Sequence, residues 1–168
     1  EEIFPALVEA IRSAQRTISY AQYFYEDGPV ARDVAEALAE RCRAGVGVNV
    51  LLDGFGTLSM PAEYIDLMRV SGCHVVHFRP LGSMAVRKYT NRNHRRILVV
   101  DGRLGFTGGS GVGRKWMGNG RVRGHREGIC KDRIAATPAA AAGVNVIELA
   151  PSPRDDGPLR VDDRLDPE

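Results

Sequence analysis

Residues 93–109 read N-H-R-R-I-L-V-V-D-G-R-L-G-F-T-G-G, a polar and basic start followed by two apolar segments. The pair Asp101-Gly102 lies between these segments, and Asp-Gly in such a position is a strong signal for a β-hairpin. The stretch therefore predicts two antiparallel strands, H-R-R-I-L-V-V-D and L-G-F-T-G-G. Because side chains alternate between the faces of a strand, His94 and Arg96 are expected side by side where the first strand begins.

An imidazole beside a guanidinium suits the binding of a phosphoryl group. The guanidinium of Arg96 can hold non-bridging oxygens, and the imidazole of His94 can act as a nucleophile or as an acid and base. A strand edge with a solvent-facing histidine and a cationic cap explains the same residues, and the pattern by itself favours this simpler interpretation.

Helix and strand patterns alternate upstream of the quoted stretch. Apolar residues at helical spacing predict helices over residues 2–15, 29–44 and 61–71. Apolar, β-branched or aromatic runs predict strands over residues 17–25, 46–54 and 73–78. Strands that alternate with helices favour an α/β fold with a mixed, mostly parallel sheet flanked by helices, in which the last strand pair is antiparallel.

The charge of the chain is distributed unevenly. Residues 79–133 carry 14 Lys/Arg against 3 Asp/Glu, whereas residues 1–78 carry 6 against 11 and residues 134–168 carry 3 against 7. A basic middle third favours an anionic ligand such as phosphate, a lipid headgroup or nucleic acid over a merely solvated basic face. From residue 127 onward the chain is Ala-rich and then acidic and Pro-rich, so we expect 127–168 to be a divergent, partly disordered tail after a domain of residues 1–126.

The cysteines and the hydropathy pattern indicate in which cellular compartment the protein is expected. Cys42, Cys73 and Cys130 are odd in number and form no C-x-x-C pair, so we expect reduced thiols, with neither a zinc site nor a disulfide framework. No apolar run approaches the roughly 20 residues of a membrane span. We expect a cytoplasmic protein or one at the cytoplasmic face of a membrane. The chain has no initiator Met, so we expect it to begin inside a longer protein.

Two further patterns leave their interpretation open. The turn Asp53-Gly54-Phe55-Gly56 follows a predicted strand, where it is either the rim of a ligand pocket or only a tight turn. Three tyrosines, Tyr20, Tyr23 and Tyr25, either line a lipid-headgroup site or belong to the core.

The segment from His94 to Asp101 follows the pattern H-x-K-x-x-x-x-D, with Arg96 in place of lysine, and Gly108-Gly109-Ser110-Gly111 follows it. This arrangement resembles the HKD motif of the phospholipase D superfamily, and the sequence around it is most similar to the N-terminal half of bacterial cardiolipin synthase-like proteins. The resemblance covers about residues 1–125 and includes segments 10–19, 37–46, 50–56 and 78–81.

The resemblance implies a phospholipase D-like fold and a phosphodiester reaction that needs no metal or other cofactor. In such enzymes two HKD motifs meet, one histidine forms a phosphohistidine and the other protonates the leaving alcohol. The resemblance implies catalytic roles for His94, Arg96 and Asp101, with Asp101 structural or orienting. It implies substrate binding by Gly108, Gly109 and Ser110. Arg92 lies just before the motif and is expected to bind substrate by steering anions towards His94. The implied reaction is phosphatidyl transfer of the cardiolipin synthase type from a phosphatidylglycerol-like phospholipid, with peripheral membrane contact.

Three departures from the family pattern keep alternatives open. Arginine replaces lysine at 96, Gly111 stands where the family has asparagine, and the chain contains one HKD-type motif. The second motif is expected either from a homodimer partner or from a C-terminal half missing from this chain, and we favour the missing half. The alternatives are a dimeric single-motif endonuclease acting on nucleic acid and a catalytically inactive module that binds phosphate or membranes.

Overall fold

The computed structural model describes residues 3–80, 92–109, 111–113 and 144–148. Within these ranges the helices and strands follow one another as α1 (Ile3–Ser13), β1 (Thr17–Gln22), α2 (Pro29–Arg43), β2 (Gly47–Asp53), α3 (Ala62–Val70), β3 (His74–Phe78), β4 (Ile97–Val100), β5 (Leu104–Gly108) and β6 (Val144–Glu148). The predicted order of helices and strands through β5 is confirmed.

One mixed sheet contains the six strands of the described part, in the order β3-β2-β1-β4-β5-β6. β1, β2 and β3 pair in parallel, whereas β4 pairs antiparallel with both β1 and β5, and β5 pairs antiparallel with β6. Four strands, β1, β2, β3 and β5, therefore point in the same direction. The predicted α/β fold with a mixed sheet flanked by helices is confirmed.

The helices lie together because the β1-α2-β2 and β2-α3-β3 connections cross over on the same side of the parallel strands. α2 packs against α1, α3 and β2, and α3 packs against β3. α2 begins at Pro29, where the missing N–H costs no intrahelical bond, and buries Val34 and Leu38 completely. Along β1, residues alternate between buried and half-buried, so the buried set, such as Ile18 and Tyr20, joins this core.

The hairpin predicted from Asp101-Gly102 is confirmed, but its first strand is shorter than expected. β4 and β5 pair antiparallel, and Asp101 and Gly102 both adopt positive φ angles, 53° and 64°, which this tight turn requires. β4 begins only at Ile97, the residue that pairs with Ala21 at the last position of its ladder with β1. The prediction that His94 and Arg96 belong to the strand is therefore wrong.

The prediction of reduced thiols is wrong for two of the cysteines. Cys42 lies in the last turn of α2 and Cys73 directly precedes β3, and a disulfide joins them across a Cα–Cα distance of 5.6 Å. The 31-residue separation in sequence gave no signal of this contact, which depends on the packing of α2 near the start of β3. The cysteine count consequently no longer supports a reducing compartment. Cys130 lies outside the described residues.

The C-terminal region contributes one strand to the described fold. Val144–Glu148 forms β6 and pairs with β5, although these residues belong to the segment expected to be a divergent tail. The other residues of 127–168 lie outside the described ranges, so the domain boundary at 126 stays a prediction. In the part of the chain that the structure describes, no helix has both the length and the apolar character needed to cross a bilayer.

Candidate active site

His94 lies in the entry segment, residues 92–96, which leads into β4 without being part of a strand. Its side chain is exposed, and its imidazole stacks on the ring of Tyr23 with ring centroids 4.0 Å apart and an interplanar angle of 21°. Tyr23 directly follows β1. Because β1 and β4 are antiparallel, the carboxyl end of β1 and the amino end of β4 meet at one edge of the sheet, and this topology brings the two rings together.

Arg96 reaches the same edge from the last position of the entry segment. Its guanidinium lies 5.9 Å from the centroid of the Tyr23 ring, within cation–π range, and its Nη1 donates a hydrogen bond to the carbonyl of Gly109. Gly108 ends β5, and Gly109 follows it. A Cβ atom on Gly109 would lie 4.0 Å from Nη1 of Arg96, so the backbone approaches the guanidinium closely without excluding a small side chain.

The structure thus brings together four of the residues predicted for the site: His94, Arg96, Gly108 and Gly109. Ser110 lies outside the described residues. An exposed imidazole and a guanidinium, both placed against one aromatic ring, offer a nucleophile and a cation to an approaching anionic group.

Asp101 occupies the opposite end of β4 from His94. Its Oδ1 accepts hydrogen bonds from the backbone N–H groups of Arg16 and Thr17, at 2.8 and 2.9 Å, and its Oδ2 accepts one from Gln15 at 2.9 Å. Burial opposes ionisation of this carboxyl group, but the three backbone donors outweigh it and lower the pKa of Asp101 below its usual value of 3.8. The aspartate of the motif therefore holds the start of β1 to the hairpin and does not contact His94.

Arg92, which is expected to steer anions, has a largely buried side chain. Its side chain is only 6% exposed, its Nη1 donates to the carbonyl of Arg79 at 3.0 Å, and the same atom lies 4.0 Å from Oδ1 of Asp53. Its guanidinium also lies 5.6 Å from the centroid of the Phe55 ring. The guanidinium of Arg92 thus lies beside the buried carboxylate of Asp53 and points into the protein. A role of Arg92 in substrate binding stays a prediction.

The turn after β2 is the structural partner of the entry segment. In this Asp53 turn, residues 53–57, Oδ1 of Asp53 accepts hydrogen bonds from the N–H groups of Phe55 and Gly56 at 2.9 and 3.1 Å. Oδ2 of Asp53 accepts one from the N–H of Asn93 at 2.9 Å. The sequence left this motif open between a pocket rim and a tight turn, and the structure shows a tight turn that also binds the residue before His94.

The three tyrosines of β1 and the following segment separate into two groups. Tyr20 and Tyr25 are buried in the core, where burial raises the pKa of both, and the hydroxyl of Tyr25 donates to the carbonyl of Ala31 at 2.6 Å. Tyr23 is half-buried and contacts His94. The sequence could not distinguish them, because the strand ends at Gln22 and the alternation of faces no longer applies at Tyr23.

Comparison with known proteins gives this geometry a context. A family model described as the cardiolipin synthase, PLD-like domain matches residues 7–120. The chain is similar to cardiolipin synthase A of Pseudomonas syringae pv. syringae, with 39% identity over 119 residues, which are 70% of this chain and 25% of that protein. It is also similar to cardiolipin synthase 1 of Bacillus anthracis, with 33% identity over 122 residues, which are 72% and 24% of the two chains. The chain spans about a quarter of the length of these relatives.

Solved structures resemble the fold. The phospholipase D family member Nuc from Salmonella typhimurium matches with a TM-score of 0.52 and 20% identity, over 66% of this chain and 64% of that one. NucT from Helicobacter pylori matches with a TM-score of 0.51 and 17% identity, over 68% and 69% of the two chains. The likeness confirms the predicted phospholipase D-like fold.

Proposed function

The chain belongs to the family of cardiolipin synthase, phospholipase D-like domains, and from this membership we propose that it supplies one half of a phosphodiester-transfer site whose nucleophile is His94. The observation that carries the proposal is the cluster at the sheet edge. There the exposed imidazole of His94 and the guanidinium of Arg96 lie against the ring of Tyr23, with Gly109 beside them.

The reaction follows from the chemistry of these groups. An unprotonated imidazole nitrogen of His94 attacks phosphorus, the bond from phosphorus to the leaving oxygen breaks, and a phosphohistidine forms. A proton from the histidine of a second HKD motif converts the leaving oxygen into an alcohol. Water or another alcohol then attacks phosphorus, gives its proton to that second histidine and releases His94. Arg96 binds the non-bridging oxygens, whose charge it neutralises through both steps.

The second motif is the part of the site that this chain does not contain. We propose that a second half of a longer protein supplies it, in preference to a symmetric pair of these chains. The support is that the chain contains one HKD-type motif and spans about a quarter of the length of the cardiolipin synthases it matches. We place Gly108, Gly109 and Ser110 at the phosphate, and Asp101 in a purely structural role.

The proposed substrate is a phosphatidylglycerol-like phospholipid, from which the phosphatidyl group is transferred at a membrane surface. Two observations support a lipid substrate: the relatives are named cardiolipin synthases, and residues 79–133 carry 14 basic against 3 acidic residues. A basic segment of this kind attracts anionic headgroups. The proposed location is a membrane surface, and the disulfide between Cys42 and Cys73 argues against its reducing, cytoplasmic side.

The experiment combines the protein, or its His94→Ala variant, with a second HKD-containing half from a cardiolipin synthase, on phosphatidylglycerol vesicles in the presence of a chelator. We expect formation of cardiolipin or phosphatidic acid to persist with chelator and to disappear in His94→Ala, and we expect mass spectrometry to detect a phosphatidyl group bound to His94. The matched control is His74→Ala, because His74 is also an exposed histidine but lies at the amino end of β3, at the opposite edge of the sheet.

Other outcomes would contradict the proposal in distinct ways. A requirement for divalent metal would contradict the mechanism, and cleavage of plasmid DNA without lipid turnover would favour the endonuclease. Binding to the vesicles without any product, even when a second HKD-containing half from a cardiolipin synthase is added, would identify an inactive binding module.

A further inference from the structure

Asp53 is a fully buried carboxylate at the end of β2, and its two oxygens serve different parts of the chain. Oδ1 accepts hydrogen bonds from Phe55 and Gly56 within its own turn, whereas Oδ2 accepts the N–H of Asn93, 40 residues away. Burying a carboxylate is costly unless it is paired and hydrogen-bonded, and closing a turn does not by itself require a charge there. The hydrogen bond from Asn93 therefore indicates that the carboxylate has a role beyond closing its own turn.

Asn93 directly precedes His94 in the entry segment. None of residues 92–96 belongs to a strand in the described structure, and regular pairing with β1 begins only at Ile97. Arg92 adds a second contact on the same side, because its buried guanidinium lies 4.0 Å from Asp53 and donates to the carbonyl of Arg79. The backbone on the amino side of His94 is thus held by the carboxylate of Asp53 and its cation.

The Asp53 turn also contacts the other member of the stacked pair. The backbone of Gly56 lies against the carbonyl of Tyr23 so closely that a Cβ atom on Gly56 would overlap it. The carbonyl of Gly56 accepts a hydrogen bond from the N–H of Tyr25 at 3.2 Å. One turn therefore contacts the backbone of Tyr23 on one side and the residue before His94 on the other.

We propose that Asp53 is a positioning residue, whose carboxylate fixes the entry segment so that the imidazole of His94 stacks on Tyr23 and presents its free edge to the phosphate. The assignment of His94 as the reacting group rests on the proposed function. The geometric part, that Asp53 sets the position of this imidazole, stands independently of it.

The test is Asp53→Asn, which removes the hydrogen bond from Asn93 and the negative charge beside Arg92 but keeps the hydrogen bonds within the turn. The amide oxygen can still accept from Phe55 and Gly56, whereas the amide NH₂ faces the N–H of Asn93, so two donors meet where a hydrogen bond existed. The readout is the NMR chemical shift of the His94 ring protons, which stacking on Tyr23 moves upfield. Tyr23→Leu gives the position of the unstacked ring, and we expect Asp53→Asn to move the His94 signals most of the way to it.

The matched control is Thr57→Val, and two other histidines report on the fold. The hydroxyl of Thr57 donates to the carbonyl of Asp53 at 2.6 Å, so this variant weakens the same turn without touching the carboxylate. We expect the His94 signals of Thr57→Val to remain at the wild-type position. His74 and His77 lie on β3, and their signals should stay unchanged in both variants.

A measurement on the unmodified protein keeps the proposal testable if Asp53→Asn does not fold. Although Asn93 lies outside any strand, its N–H should be protected from hydrogen exchange because Asp53 binds it. Exchange of Asn93 as fast as that of an exposed amide would overturn the proposal. His94 signals that stay at the wild-type position in Asp53→Asn would overturn it as well, because Asp53 would then only close its turn.

Activity distinguishes the failure of this proposal from the failure of the proposed function. If the protein turns over a phosphodiester, Asp53→Asn should lower kcat by about a hundredfold with little change in KM, the order of loss expected when a reacting group is displaced by about 1 Å. If the wild type turns over a phosphodiester and Asp53→Asn has an unchanged kcat, the positioning proposal is contradicted and the proposed reaction is not. If the His94 signals respond to Asp53→Asn but no turnover is found even with a second HKD-containing half added, positioning is supported and the proposed reaction is contradicted.

Discussion

Asp101→Asn tests whether the aspartate of the motif serves stability, as its hydrogen bonds indicate. Asparagine tolerates the positive φ of 53° at this position, so the substitution does not add backbone strain. Its amide oxygen can replace Oδ1 and accept from Arg16 and Thr17, but its NH₂ would face the N–H of Gln15, which now donates to Oδ2. The variant therefore loses one hydrogen bond to a charged group and weakens two others.

The expected cost follows from the strength of such bonds. Hydrogen bonds to charged groups contribute about 1.5–3 kcal/mol, and solvent around the half-buried Asp101 reduces this, so we expect Asp101→Asn to lower the free energy of unfolding by about 1–2 kcal/mol at neutral pH. For a chain of this size the melting temperature should fall by about 2–8 °C. Urea denaturation followed by circular dichroism measures the difference directly.

The pH dependence provides the sharper part of this test. Because the folded pKa of Asp101 lies below its ordinary value of 3.8, its stabilisation is present above that value and is lost as the pH falls through the folded pKa. The difference between the wild type and Asp101→Asn should thus be constant from about pH 7 to pH 5 and shrink below about pH 3.8. A difference that is absent at neutral pH, or that does not shrink in acid, would refute the assignment of a structural role to this carboxylate.

Two further predictions concern the sheet edge. Arg96→Lys should raise any phosphodiester turnover measured on phosphatidylglycerol vesicles, because lysine restores the compact cation of the HKD motif in place of a planar fork; a fall would show that the family role does not transfer to this residue. Gly56→Ala should lower the free energy of unfolding by about 1–3 kcal/mol in urea denaturation, since its Cβ would overlap the carbonyl of Tyr23. Gly47→Ala is the matched control, because a Cβ there would make only an ordinary contact, 3.7 Å from the carbonyl of Arg16, and equal losses in the two variants would disprove the close approach.

The order of helices and strands was predictable because the signals for it are local. The hairpin at Asp101-Gly102 and the start of α2 at Pro29 depend on residues within one turn of the chain, and both were confirmed. His94 and Arg96 were singled out by a pattern of eight residues, and the structure places them together at one edge of the sheet. Their assignment to the strand failed, because the end of a strand depends on its neighbour as much as on its own sequence.

The class of fold, the hairpin and the family could thus be predicted from the sequence, since periodicity, turn chemistry and a short motif all depend on neighbouring residues. Three contacts became known from the folded chain alone: Cys73 with Cys42, the ring of His94 with that of Tyr23, and Asp53 with the backbone of Asn93. These pairs are separated by 31, 71 and 40 residues. The carboxyl ends of β1 and β2 and the amino end of β4 lie at one edge of the sheet, because β1 and β2 are parallel and β4 is antiparallel to β1. The crossover connections likewise place the end of α2 near the start of β3. No local sequence pattern predicts which of these ends lie together.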